Sequence, residues 1–141
     1  MEITFGVVTG GGNENVINKI IDSIETQNIP QYEIIIVGKC DINRNNTTTI
    51  PFNETIKKGW ITKKKNILTD LAQYENIVYL HDYIVFEDGW YDGQLKAGND
   101  FKIRMDKILD INGNRFRDWS IWPHNNNAMD SIIGRDCLIP Y

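Results

Sequence analysis

The chain opens with an unbroken apolar and β-branched run, Ile3 to Thr9, which stops at Gly10-Gly11-Gly12. A continuous run of this kind predicts a strand buried on both faces. The next apolar positions, Val16, Ile17, Ile20, Ile21 and Ile24, recur at helical spacing and form one stripe. They predict a helix from about Glu14 to Gln27, with Asn13 as N-cap and Asn28 and Pro30 as its end. Glu33 to Val37 (Glu-Ile-Ile-Ile-Val) predicts a second buried strand, closed by Gly38. Strand, helix and strand in this order form a βαβ unit, which implies parallel strands and a right-handed crossover.

Asp41 to Thr49 is polar and reads as a loop, and Ile50-Pro51-Phe52 reads as a short strand. A second helix is predicted from Lys63 to Tyr74, with Thr62 as N-cap and an inner stripe of Ile67, Leu68, Leu71 and Ala72. Lys64 shares that face one turn nearer the N-terminus. Ile77 to Leu80 predicts a third buried strand, which runs straight into the polar pair His81-Asp82. Further on, Phe101 to Leu109 and Arg115 to Trp122 flank Ile111-Asn112-Gly113-Asn114, a strong hairpin signal. Ser131 to Tyr141 supplies a last strand. The whole pattern predicts one α/β domain over residues 1–141, with a mixed, Rossmann-like sheet and a C-terminal β-hairpin.

Composition narrows the possible partners. A chain of 141 residues, 41% hydrophobic, forms one domain with a real core. The net charge of -4 argues against nucleic-acid binding, which needs a basic surface. No segment approaches the length of a membrane span. The opening Met-Glu-Ile-Thr-Phe-Gly-Val-Val reads as a strand without the basic flank of a signal peptide, so a cytoplasmic location is expected. Cys40 and Cys137 have no metal spacing and are expected as reduced thiols. Asn45, Asn46 and Asn53 each begin an Asn-x-Thr triplet, which without a secretion signal is a by-product of an Asn- and Thr-rich loop.

The chemistry gathers at strand ends. Asp82 follows a buried strand, where open α/β sheets bind ligands. Its carboxylate suits Mg²⁺ or Mn²⁺, which prefer oxygen. The alternative is a solvated turn carboxylate. His81 reads as a metal ligand, a phosphate contact or the hydrogen-bond partner of its neighbour. Lys57, Lys58, Lys63, Lys64 and Lys65 make a basic cluster in an acidic chain. Most of it reads as a solvated helix face. Lys64 and Lys65, near a helix N-terminus, are the candidates to meet a diphosphate. Thr9-Gly10-Gly11-Gly12 either brings backbone against a nucleotide or is a plain strand-to-helix turn. It lacks the Gly-x-Gly-x-x-Gly spacing of a dinucleotide site.

These segments, in this order, resemble a GT-A glycosyltransferase of the family 2 type. Ile3 to Thr9 is similar to that family's first strand. Ile20-Ile21-Asp22-Ser23-Ile24-Glu25-Thr26-Gln27 is similar to its first helix, and Glu33 to Val37 to its second strand. Lys65-Asn66, followed by Leu71-Ala72, resembles the basic-Asn helix before the metal motif. Leu80-His81-Asp82 resembles the Asp-x-Asp region, and Trp90 stands where an aromatic residue is common. The resemblance covers residues 3–92.

It implies a nucleotide-sugar-binding half over residues 1–92 and a hairpin with an acceptor-side segment over residues 93–141. It implies transfer of a hexosyl or related sugar from a UDP, GDP or dTDP donor to a glycan or other hydroxyl acceptor, with Mn²⁺ or Mg²⁺ on the diphosphate. Thr9, Gly10, Gly11, Gly38, Asp41, Lys64, Lys65 and Asn66 are the implied nucleotide-binding residues. Asp82, His81 and the late His124 are the implied metal site. Inverting transfer also needs a general base. Asp118, beside Trp119 in Arg117-Asp118-Trp119, is the choice, ahead of Asp106, Asp130 and Asp88.

Two departures stand out: the metal motif holds one carboxylate, and Gly38-Lys39-Cys40-Asp41 carries a single acid after the second strand. They leave two alternatives open. One is a non-catalytic donor-binding domain, or one domain of a larger glycan-synthesising enzyme. The other is an unrelated α/β nucleotide-binding domain.

Overall fold

The computed structural model describes residues 1–98, 100 and 102–114. The elements run β1 (Ile3–Val8), α1 (Glu14–Glu25), β2 (Tyr32–Val37), β3 (Thr47–Ile50), α2 (Ile61–Leu71), β4 (Asn76–His81) and α3 (Trp90–Ala97). The four strands make one sheet in the order β3-β2-β1-β4, and every pairing in it is parallel. Two compact units divide the chain, Met1–Gly98 and Asn99–Tyr141. All seven elements belong to the first.

Alternation along β1 decides which helix covers which face. Phe5 and Val7 join Ile34, Ile36 and Leu80 in one cluster with Ile17, Ile20, Ile21 and Ile24, the buried stripe of α1. On the opposite face Ile35 and Val37 meet Leu68 of α2, with Ile50, Phe52, Ile67 and Ile77 around them. The sheet is therefore sandwiched between α1 and α2, the α/β arrangement expected. Gly6 brings α2 close: a Cβ there would lie 1.9 Å from Leu68 Cδ1. Phe5 packs its ring against Phe86 at 5.4 Å and Trp90 at 5.7 Å, which ties the segment after β4 to the α1 face.

The order of the strands creates a switch point. From β1 the chain passes through α1 to β2 and on to β3. It then returns through α2 to β4, on the other side of β1. The carboxyl ends of β1 and β4 thus lie side by side where the winding reverses, and Val8 pairs in register with His81.

Several expectations shift. The third strand of the chain is Thr47–Ile50, not Ile50–Phe52. Its β-branched threonines extend along β2, and Pro51, which has no N–H, ends it. Helix α1 stops at Glu25: the Gln27 and Asn28 N–H groups turn to the carbonyls of Ile24 and Glu25, three residues back, and Asn28 takes φ 54°. Helix α2 begins at Ile61 after Trp60, with no side-chain cap, and ends at Leu71. Leu71 is 47% exposed, and Lys64 takes a buried place instead. Helix α3 had no counterpart in the sequence reading.

In the second unit, residues 103–108 form no strand, and Leu109 makes an isolated bridge. The expected Asn112-Gly113 turn is present. Asp110 N–H donates to Asn114 O at 2.8 Å, Gly113 N–H donates to Asp110 O at 2.9 Å, and Gly113 has φ 78°. The arms expected at Arg115–Trp122 and Ser131–Tyr141 lie outside the described residues. Among the described residues no helix is long and apolar enough to cross a membrane.

Candidate functional site at the switch point

Asp82 comes directly after β4 and faces the α1 side, one position beyond the alternation that points Leu80 into the α1 cluster. Two side chains hold it from neighbouring elements. Thr9 Oγ1 donates to Asp82 Oδ2 at 2.6 Å, and Asn13 Nδ2 donates to the same oxygen at 2.8 Å. Among the described residues nothing bonds Oδ1. The carboxylate is oriented by one oxygen and offers the other.

Asn13 explains part of this. It occupies the N-cap position of α1 but makes no side-chain cap hydrogen bond, because its amide is turned to Asp82. The first turn of α1 thus has no side-chain cap, and its Val16 N–H turns back to Asn13 O at 2.9 Å. The loop between β1 and α1 is shaped for close approach. Thr9 Oγ1 accepts from the Gly11 N–H at 3.0 Å, and Gly11 has φ 99°. A Cβ at Gly11 would meet Lys39 O at 2.9 Å. Gly38, φ 148°, lies still closer: a Cβ there would be 2.1 Å from Thr9 O. Gly10 is exposed. Thr9, Gly10, Gly11 and Gly38 are thus gathered at the ends of β1 and β2. Asp41 is exposed beyond them, and burial, with Glu14 and Asp41 nearby, pushes the Cys40 thiol up.

The lysines divide. Lys64 is 2% exposed. Its Nζ pairs with Glu54, donates to Thr9 O at 2.8 Å and lies 5.0 Å from the centre of the Phe52 ring. This differs from the expected diphosphate contact: the α2 stripe buries the amine, and a carboxylate and a carbonyl hold it. Lys65, half-buried on α2, lies 5.5 Å from the Tyr79 ring centre, and Asn66 is exposed. Glu54, which no pattern marked, is the partner that the sequence reading missed. The Lys64 ammonium, and then the Gly59 N–H, hold its carboxyl below the usual range.

His81 departs from the expected metal role. The period-two alternation of β4 sends it to the α2 side, away from Asp82. It stacks on Tyr83 at 5.5 Å. Burial, and then Lys65, lower its pKa, while Asp82 acts in the opposite direction. Among the described residues no three His, Cys, Asp or Glu side chains gather as a metal site. His124, Asp118 and Asp130 lie outside the described residues. Asp106 lies 3.7 Å from Arg104. Asp88 lines a polar cavity of about 360 Å³ with Gln27, Tyr91 and Asp92, at the far end of α1 from Asp82.

No protein-family model matches the sequence, and no curated protein matches it. Solved structures do resemble the fold. Residues 1–349 of Staphylococcus aureus TarS superpose with a TM-score of 0.52 at 15% identity. The match covers 66% of this chain and 31% of that one. A longer TarS structure gives a TM-score of 0.49 at 17% identity, over 66% of this chain and 19% of that one. The chain thus spans less than a third of the TarS chains it resembles. At this identity the likeness concerns architecture: the chain has a Rossmann-like α/β fold of the GT-A kind.

Proposed function

We propose that this chain is a glycosyltransferase that binds a nucleoside-diphosphate sugar at the switch point and passes the sugar to an acceptor hydroxyl. One observation carries the reading. Asp82 stands at the carboxyl end of β4, anchored through Oδ2 by Thr9 and Asn13, with Oδ1 directed to no protein partner among the described residues. The GT-A architecture supports it.

The donor set suits a divalent ion held mainly by the ligand. Mg²⁺ and its kin commonly take one or two carboxylates and complete their shell with phosphate oxygens and water. Asp82 Oδ1 would supply that carboxylate. When bound, Mn²⁺ or Mg²⁺ would offset the negative charge that grows on a departing diphosphate. The rest falls to the chain itself. The start of α1, which Asn13 joins to Asp82, would add the fixed dipole of a helix N-terminus that favours an anion. Lys65 adds positive charge on the α2 side. Asp118 is the proposed general base for the acceptor.

A second reading is a donor-binding domain without turnover, or one domain of a larger glycan-synthesising enzyme. The single carboxylate at the metal position and the short span relative to TarS favour it. The test is release of nucleoside diphosphate from UDP-, GDP- and dTDP-sugars with Mn²⁺. The first reading expects release from one base class, lost in Asp82→Ala. Binding without release would favour the second. Neither binding nor release would sink both.

A further inference from the structure

A buried lysine is unfavourable unless its charge is paired and its donors are used. Lys64 meets both conditions, and the second through an atom of the candidate site. Thr9 is the first residue past β1. Its N–H still donates to Val37 O at 3.1 Å, but its carbonyl accepts from Lys64 Nζ at 2.8 Å. Gly38 crowds the same carbonyl and leaves no room for a Cβ. The Thr9–Gly10 peptide is therefore held from two directions. The Thr9 hydroxyl in turn donates to Asp82 Oδ2 and accepts from the Gly11 N–H. Lys64, Thr9 and Asp82 form one continuous chain of contacts from the α2 core to the switch point.

We propose that Lys64 is a positioning residue for Asp82. Its buried ammonium fixes the Thr9 carbonyl, and with it the direction of the Thr9 hydroxyl. Through that hydroxyl it sets the carboxylate of Asp82 and the course of the Gly10–Gly11 turn. Glu54, itself anchored by the Gly59 N–H at 2.8 Å, keeps the ammonium paired inside the fold. A residue needed only to fill space on α2 would be served by an apolar side chain without the desolvation that a charge incurs. The consequence for ligand binding rests on the switch-point reading; the positioning itself does not.

The test uses the full chain with Lys64→Met, Lys64→Arg and the double variant Glu54→Gln with Lys64→Met. Should Lys64→Met alone fail to fold, the double variant carries the test, because it also removes the orphaned carboxylate. The first readout is ligand-free NMR of the Gly11 amide and the Asp82 carboxyl carbon, with Ile20 as a control. The second is the affinity for UDP, GDP and dTDP with Mn²⁺. Removing the ammonium is expected to shift the Gly11 and Asp82 signals and leave Ile20 in place. It is also expected to weaken binding by about 10-fold or more, the usual effect of losing a residue behind a ligand. Lys64→Arg, which keeps a donor, restores both in part. Unmoved Gly11 and Asp82 signals would overturn the proposal, and moved signals with unchanged affinity would overturn its consequence for binding. A wild-type chain that binds none of the nucleotides would refute the switch-point reading instead, and the ligand-free spectra would still decide the role of Lys64.

Discussion

Asn13 stands where an N-cap belongs, yet its amide reaches Asp82 rather than its own helix. Position along the chain announced Asp82 and Thr9, because strand ends are readable from where an apolar run stops. It did not announce their partners. Helical spacing put Lys64 on the inner face of α2, but its partner Glu54 and the turn of Asn13 to Asp82 depend on which elements meet, and local pattern carries no record of that. His81 shows the same limit: adjacency to Asp82 in sequence becomes opposite sides of a strand in space. Its lowered pKa has a measurable consequence. Below the ordinary histidine value of about 6.5, the unfolded chain takes up a proton that folded His81 resists. Stability is therefore full above that value and declines as pH falls toward the lowered one. Urea unfolding at about pH 7 and about pH 5 is expected to show a smaller loss in His81→Asn than in the wild type. An equal loss in both would contradict the assignment.

Among the elements, β1, β2, β4 and α1 were legible, because their apolar residues are continuous or strictly periodic. β3 was not, since Thr47-Thr48-Thr49 is polar and becomes a strand only by pairing with β2. Helix α3 was hidden for a related reason. It contains Gly93 and buries only Tyr91 and Gln94, so its packing against the rest supports it more than its own pattern does. The contact between β1 and α2 gives the sharpest test at this scale. Gly6→Ala would place a methyl group 1.9 Å from Leu68 Cδ1. Overpacking of this kind costs about 1–3 kcal/mol. Leu68→Ala alone leaves a cavity worth about 2–5 kcal/mol. Since the added methyl would fill part of that cavity, the double variant is expected to lose less than the sum of the two. Strict additivity in denaturant unfolding would show that the two side chains do not share the space.

At the scale of the whole molecule, the sheet, both covering helices and the Asp82 site all fall within Met1–Gly98. Among the described residues, the core comes from the same stretch. A chain ending at Gly98 is therefore expected to unfold cooperatively, with a midpoint within several degrees of the full chain, a difference of about 1 kcal/mol. A non-cooperative melt would show that the residues beyond Gly98 complete the core. The switch point itself depends on the same architecture, because only the reversal between β1 and β4 leaves their carboxyl ends open side by side. The most direct measurement of that claim is the thermal midpoint with UDP, GDP and dTDP, each with and without Mn²⁺, for the wild type and Asp82→Ala. A ligand that binds only the folded state raises the midpoint by mass action. The account predicts a rise for one nucleotide that requires Mn²⁺ and disappears in Asp82→Ala. A rise that is the same in both proteins, or no rise for any nucleotide, would contradict it.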